Sequence, residues 1–267
     1  MLERERHRMI LRLVTERSII SVGDLVALLG ASEASIRRDI NALAERGEIN
    51  RVRGGAEAVR PRYEAHLVGM PFALSRQIAV PEKRAIARAA CELIEPTDSI
   101  IISGGTTTHR LIEYLADREL DILTNSFAIA AELITKSRNR ITLPGGTIFR
   151  EQGLILSPYA DNTIKNFRAT KLFTGCYGIS RFGIMQTDPL IVHSDIELID
   201  RSESVIVLAD SRKLRQRSPM IVAQLNRVST LITDSGARAE DLEALRSEGL
   251  KIILAQVTER EEDQPQS

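Results

Sequence analysis

The stretch Val22-Gly23-Asp24-Leu25-Val26-Ala27-Leu28-Leu29-Gly30-Ala31-Ser32-Glu33-Ala34-Ser35-Ile36-Arg37-Arg38-Asp39-Ile40, followed by Arg51-Val52-Arg53-Gly54-Gly55-Ala56, decides how this chain is read. Leu25, Leu28 and Leu29 fall on one face of a short helix that Ser21 is placed to cap, its hydroxyl oxygen accepting from a first-turn N–H that has no partner inside the helix. Gly30 ends that helix. Ser32 caps a second one, in which Ile36, Ile40 and Leu43 at i, i+4 and i+7 face a core while Glu33, Ser35, Arg37 and Arg38 face outward. Two short helices across a glycine turn, then a Gly54-Gly55 hairpin between two arginines, make the pattern of a winged helix-turn-helix.

That outward row suits DNA. The first residues of such a helix enter the major groove, where an arginine fork meets guanine O6 and N7, and Ser32 with the helix N-terminus can hold a phosphate. The hairpin would lay Arg51 and Arg53 along the phosphate backbone. Ser32, Glu33, Ser35, Arg37, Arg38, Arg51 and Arg53 are therefore the candidate contacts to operator DNA. An arginine pair on a helix is by itself an ordinary solvated face. Its company decides the reading here: a preceding basic amphipathic helix, with Arg4, Arg6, Arg8 and Arg12 around Met9, Ile10, Leu13 and Val14, and the following wing.

Composition narrows the rest. With 267 residues, 43% of them apolar, the chain can build a small head and a body with its own core. A formal net charge of zero means that DNA affinity depends on where charge sits. Cys91 and Cys176 lie among apolar or small residues, and no Cys/His spacing for zinc occurs, so no metal is expected and a reducing cytoplasm fits. The first residues are charged where a signal peptide would be apolar, and no apolar run reaches the roughly 18 residues of a membrane span, so no membrane partner is expected. The expected organisation is a DNA-binding head over residues 1–58, a Pro- and Gly-marked linker over 59–81, a body over 82–257 and a disordered polar tail over 258–267.

The body reads as α/β with a mostly parallel sheet. Short apolar runs alternate with helical stretches: Ser99 to Ile102, Ile122 to Leu123, Ile141 to Leu143, Leu172 to Thr174, Val205 to Leu208, Thr230 to Ile232 and Lys251 to Leu254. The chemistry follows the strands. After the first comes Ser103-Gly104-Gly105-Thr106-Thr107-Thr108, opening a helix with Leu111, Ile112 and Leu115 on one face. Glycines let the backbone approach an anion, hydroxyls can donate to it, and a helix N-terminus adds free N–H groups. Then come Thr124-Asn125-Ser126, Pro144-Gly145-Gly146, Gly175-Cys176-Tyr177-Gly178 and Asp210-Ser211-Arg212-Lys213. All stand at the carboxyl ends of parallel strands, where open α/β sheets bind ligands. One Gly-Gly pair after a strand is most often a turn; five such loops in one sheet point to an anion site. His109 and His193 read as ordinary polar residues, with no carboxylate or Cys at ligand spacing.

Both halves resemble the DeoR family of bacterial transcription regulators. In the head the resemblance lies in the Leu29 to Ser32 turn, the Ile36-Arg37-Arg38-Asp39-Ile40 core and the Arg51 to Ala56 wing. In the body it lies in Glu82-Lys83 with Ile86-Ala87, Gly105-Thr106-Thr107-Thr108, Thr124-Asn125-Ser126, Gly145-Gly146, Gly178 and Asp210-Ser211-Arg212-Lys213. The resemblance implies a sensor domain of the ribose-5-phosphate isomerase and CoA-transferase fold and a phosphorylated sugar or sugar acid as effector, with Lys83, Gly104, Gly105, Thr106, Thr107, Thr124, Asn125, Gly145, Gly146, Gly178, Asp195, Asp210 and Lys213 around it. Two positions depart from the family: Ser103 stands where an Asp is common, and His193 where a Glu is common, with Asp195 the nearest acid. The Leu156-Ser157-Pro158 run and the Asp195 region resemble the ascorbate-utilisation branch.

The expectation is thus a cytoplasmic regulator, a repressor of a carbohydrate catabolic operon, acting as a dimer or tetramer because one recognition helix reads few base pairs. No catalytic residue and no cofactor is assigned. Two other readings stay open: a phosphosugar isomerase or deaminase with an accessory head, against which the missing acids weigh, and a DNA-binding protein whose body only oligomerises.

Overall fold

The computed structural model describes residues 3–17, 19–52, 54–59, 72–157 and 163–257. It divides into two compact units, Met1–Gly69 and Met70–Ser267. Arg53, Pro158, the polar tail and most of the linker residues lie outside the described residues.

In the head, α1 (Glu3–Arg17), β1 (Ile19–Ser21), α2 (Val22–Leu29), α3 (Glu33–Glu45), β2 (Ile49–Val52) and β3 (Gly55–Ala58) follow in order. Both caps read from the sequence form: the Ser21 side chain accepts from the Asp24 N–H and the Ser32 side chain from the Ser35 N–H, while Gly30 closes α2 at φ 60°. Ile36, Ile40 and Leu43 of α3 pack against Ile10 and Val14 of α1, Leu25 of α2, and Ile20, Ile49 and Ala56 of the sheet. That sheet is antiparallel in the order β1-β3-β2. β1 was not legible, since three residues carry too little alternation. A Cβ at Gly55 would lie 2.3 Å from the Ile20 carbonyl oxygen, so β3 can approach β1 only with glycine there.

A polar network ties α1 to the inner face of α3. Asp39 is 4% exposed and accepts from both Arg6 and His7, the latter at 3.0 Å. Arg46 donates to His7 Nδ1 at 3.1 Å, so the ring proton sits on Nε2 and points at Asp39. Burial works to raise the Asp39 carboxyl, but the hydrogen bonds from Arg6 and His7 outweigh it and hold it below the usual carboxylate range.

In the second unit, seven strands form one parallel sheet: β4 (Ser99–Ile102), β5 (Asp121–Thr124), β6 (Arg140–Thr142), β9 (Ala169–Thr174), β12 (Ser202–Leu208), β14 (Thr230–Asp234) and β15 (Lys251–Ala255), in the order β15-β14-β12-β9-β4-β5-β6. Six contain one of the seven apolar runs whole, and the run Ile141 to Leu143 extends one residue past β6. They read as near-continuous apolar segments because both faces are covered. Ile100 and Ile102 point to a core built with Ile86 and Ala90 of α5 (Val80–Cys91) and with Ile129 and Leu133 of α6 (Phe127–Lys136). Ile101 points to the opposite core, with Leu198 of α7 (Pro189–Asp200) and Leu242 of α8 (Ala239–Arg246). From β4 the chain builds outward to β5 and β6 on one side and through β9 to β15 on the other, so the order reverses between β4 and β9.

Three features differ from the sequence expectation. Phe72–Ser75 forms a short helix, α4, and Val80–Cys91 begins inside the segment read as linker; the prolines and glycine that marked it open helices or fall outside the described residues. The helix after the glycine-threonine loop is a 3-10 helix, Thr108–Tyr114. Two small antiparallel sheets were not read: β7 (Thr147–Phe149) with β8 (Leu154–Leu156), and β10 (Gly178–Ser180) with β11 (Gly183–Gln186) and β13 (Met220–Ala223). Their strands are too short to show a period.

Replacing Asp39 by Ala strands a buried guanidinium and an imidazole N–H. The variant is expected to lose about 2–3 kcal/mol of head stability, read as a lowered head transition in calorimetry with the transition of the sheet-containing unit unchanged.

Candidate functional site

On the head, the caps and the apolar row of α3 fix which side chains face out. Glu33, Arg37 and Arg38 are exposed, while Ser32 and Ser35 share a 2.9 Å hydroxyl contact at the helix start. Arg37 donates to Glu33 Oε1 through Nε at 2.9 Å and Nη2 at 2.6 Å, which holds its guanidinium along the helix. Arg38 has no ion-pair partner among the described residues. Arg51 is exposed on β2.

In the second unit, the β4–β9 reversal parts the loops at the carboxyl ends of those strands, the position at which open α/β sheets hold ligands. Ser103 bridges the seam, its N–H donating to the Phe173 carbonyl at 3.0 Å and its hydroxyl lying 2.8 Å from that of Thr174. A neutral hydroxyl pair thus stands at this seam. Beyond it the chain turns through Gly104 to Thr107. Asn125 holds this turn, accepting from the Gly104 N–H at 2.8 Å and donating to the Ser194 hydroxyl at 3.0 Å. The N–H groups of Gly105, Thr106 and Thr107 donate to no acceptor among the described residues. Successive free N–H groups of this kind make an anion-binding concavity.

Cations gather beside it. Lys83, in the first turn of α5, is 1% exposed, and its ammonium donates to the Ser75 carbonyl at 2.6 Å. Burial lowers its pKa to about 8, the Asp210 carboxylate working the other way. Arg110, Arg212 and Lys213 act on Lys83 as like charges, so four basic groups share this neighbourhood. Asp210 is 1% exposed and caps the 3-10 helix Ser211–Arg215; burial raises it, but two hydrogen bonds from Arg212 and the nearby lysines leave it below the usual carboxylate range. Lys213 lies 5.6 Å from the centre of the Tyr177 ring and donates to Gln216 Oε1 at 3.0 Å.

Other candidates are built into the frame of the loops. Thr124 is fully buried and accepts from the Ser126 N–H, which starts α6. A Cβ at Gly104 would strike Leu154, one at Gly146 the Leu156 carbonyl, and one at Gly178 the Gln216 carbonyl, so these glycines permit close chain approach. Gly145 faces open space. No hydrogen bond or ion pair among the described residues joins Gly145 or Gly146 to the Lys83 cluster. Asp195 lies on α7, 7% exposed, with Gln186 donating to it at 2.9 Å; burial pushes its pKa up to about 7. Burial also pushes the Cys176 thiol up to about 12, leaving no thiolate near neutral pH.

Several participants escaped the sequence reading. Ser75 and Arg110 reach the cluster through the fold and carry no motif. Asp234, at the end of β14, accepts from the N–H groups of Ser211 and Gly236 and so holds the Asp210 loop. Buried His109 pairs with Glu132 at 2.9 Å across 23 positions of sequence, a carboxylate that local spacing could not show. No group of three or more metal-binding side chains occurs, and no helix is long and apolar enough to cross a membrane, among the described residues.

A winged head with an arginine-bearing outer helix, continued in one chain by an α/β unit with a turn of free N–H groups, defines a transcription regulator with a sensor domain. The model of the DeoR-like helix-turn-helix domain matches residues 6–62 and that of the DeoR C terminal sensor domain residues 78–235. The chain belongs to the DeoR family. It is similar to the HTH-type transcriptional regulator UlaR of Shigella dysenteriae serotype 1 (strain Sd197) and of Escherichia coli O139:H28 (strain E24377A / ETEC), each 31% identical over 257 residues, 95% of this chain and 99% of the relative. Similar solved structures include full-length sorbitol operon regulator SorC from Klebsiella pneumoniae, at 11% identity and TM-score 0.40 over 90% of this chain and 98% of that one. Ribose 5-phosphate isomerase A from Methanocaldococcus jannaschii matches at 13% identity and TM-score 0.34 over 49% and 52% of the two chains. The protein is a transcription regulator and not an enzyme, which removes the isomerase reading.

Asp195 sets a pH dependence. With its folded pKa near 7 against an ordinary 3.8, the folded state holds a proton that the unfolded chain releases, so this group favours folding most below about pH 4 and that advantage is lost as pH rises through 7. Asp195→Asn should flatten the slope, exceeding wild type at pH 8 by at most about 4 kcal/mol and converging with it toward pH 4, as read by urea denaturation.

Proposed function

We propose that the head reads an operator through the N-terminal half of α3, with Arg38 and Arg37 as base contacts, Ser32, Glu33 and Ser35 setting their approach, and Arg51 and Arg53 on phosphates. The sensor binds a phosphorylated sugar or sugar acid at the carboxyl end of the β4–β9 seam. The observation that carries this reading is the run of three free N–H groups at Gly105, Thr106 and Thr107 beside a buried lysine. A phosphate dianion satisfies both, and charge-assisted bonds of this kind are about twice as strong as neutral ones. Gly105, Thr106, Thr107, Lys83 and Lys213 are the direct contacts. Asp195 and Asp210 accept from ligand hydroxyls, while Gly104, Thr124, Asn125, Gly145, Gly146 and Gly178 shape the loops.

The likeness to UlaR, an L-ascorbate utilisation regulator, supports a phosphorylated sugar acid, and the neutral Ser103–Thr174 pair fits a ligand with a second negative charge. The regulator acts in the cytoplasm as a repressor of a carbohydrate catabolic operon, and as a homodimer or tetramer, since paired half-sites raise specificity. The ligand must favour one arrangement over another, because equal affinity for two states shifts nothing.

On the DNA side, Arg38→Ala is expected to cost about 1–3 kcal/mol of operator affinity and to relax base preference at one position. Arg51→Ala should weaken binding across all sequences and reduce the salt slope by about one. Fluorescence anisotropy over a salt series and a panel of substituted operators separates the two.

On the ligand side, Thr106→Ala removes a hydroxyl donor and Lys83→Ala a charge, while Gly105→Val blocks close approach. All three should lose at least about 1.5 kcal/mol of sugar-phosphate affinity and keep operator affinity in gel shifts. Wild-type calorimetry for Lys83→Ala and Thr106→Ala would place the pocket elsewhere.

A further inference from the structure

Between the head and α5 in sequence the sensor carries a strap, residues 72–79, tied to the anion site at Ser75 and to its surroundings at both ends. Lys83 donates to the Ser75 carbonyl at 2.6 Å, the Ser75 and Thr106 hydroxyls lie 3.4 Å apart, and Arg110 reaches the Arg76 carbonyl at 3.5 Å. The Phe72 ring packs edge-on against His109, with centroids 5.5 Å apart and planes at 65°. At the far end the Phe72 N–H donates to the Glu151 carbonyl. The strap joins α5 through Ala79, whose φ of 52° makes it the one non-glycine residue in the left-handed region among the described residues. A side chain there costs energy that the tethers must hold in place.

We infer that the strap is the built-in competitor of the effector: the Ser75 carbonyl occupies the Lys83 ammonium until a phosphate takes it, and phosphate binding frees the strap. This rests on the anion-site reading above. Lys83 is 1% exposed with the Ser75 carbonyl seated on its ammonium, so an anion reaches that ammonium only by displacing what covers it. The dianion wins because both partners of its contact with Lys83 carry charge, where the carbonyl is neutral, and the Gly105 to Thr107 N–H groups add to it. Release removes the Lys83 and Thr106 contacts together and lets Ala79 leave its strained conformation. In sequence the strap is the part of the sensor that the chain enters from the head, so a change in the strap is a change in how the sensor begins.

Competition has a consequence that a lid closing over the ligand does not share. Weakening the strap at a point outside the anion site must tighten phosphate binding, by the reciprocity of linked equilibria. Phe72→Ala removes the ring on His109 and leaves Lys83 and residues 105–107 intact. The probe is inorganic phosphate on the full chain, with affinity from calorimetry and strap opening from hydrogen exchange at the Arg76 and Ile78 amides, which bond to the Phe72 and Ser75 carbonyls.

Saturating phosphate should speed exchange of these amides at least about fivefold while those of β4 and β9 stay protected. Phe72→Ala should lower the phosphate Kd about threefold or more, and Lys83→Met should exchange fast at the strap without phosphate and show no response to it. Thermal melts within a few degrees of wild type establish that each variant is folded, and Phe72→Leu, which keeps an apolar side chain, should fall between Phe72→Ala and wild type. If phosphate binds but the strap amides slow or stay unchanged, or if Phe72→Ala weakens phosphate, the competitor role is overturned with the site intact. If phosphate fails to bind wild type while the strap amides of Lys83→Met still exchange fast, the anion-site reading fails and the inference falls with it.

Discussion

The sensor depends on one constraint: in a sheet covered on both faces, parallel strands must deliver their chain to loops at the same edge, and a reversal of strand order parts two of those loops. Here the reversal lies between β4 and β9. Ser103 and Thr174 close the seam with a hydroxyl contact, and Asn125 fixes the first turn of the departing chain. The next N–H groups, at Gly105, Thr106 and Thr107, are left without an acceptor among the described residues because the geometry that would satisfy them is that of an elongated strand or helix. A free concave row of donors therefore follows from topology before any ligand is considered.

Charge is organised around that row. The chain as a whole carries no net charge, yet Arg110, Arg212 and Lys213 act on Lys83 near it and Asp210 is the buried counter-charge. Taking Lys83 out of water is costly, as its pKa of about 8 records. Asp210 and the Ser75 carbonyl offset part of that cost.

The head solves a different problem with similar means. Its core is small, so the angle of α3 relative to α1 is set by directional bonds as well as by packing: Asp39 collects Arg6 and His7 on the inner side of the helix that presents Arg37 and Arg38 on its outer side. Arg38 and Asp39 are sequence neighbours in opposite surroundings, the first exposed and the second buried. On a helix, adjacent positions point about 100° apart, which is how one residue is anchored inside and its neighbour stands exposed.

The sequence by itself determined the head almost completely, because its signals are local. Ser21, Gly30 and Ser32 act on backbone within a few residues, and the Ile36, Ile40, Leu43 row has the helical period. It also determined the seven strands of the parallel sheet, since strands buried on both faces read as apolar runs. The tertiary structure alone decided their order, and with it which loops meet. It alone placed Ser75 on Lys83, Arg110 beside the cluster, Glu132 on His109, and Asp39 between Arg6 and His7. It also separated Gly105, which leaves an N–H free, from Gly104, Gly146 and Gly178, which pack against their neighbours. A glycine looks the same in sequence whether it makes room for a ligand or for the chain itself, and only the atoms across from it tell the two apart.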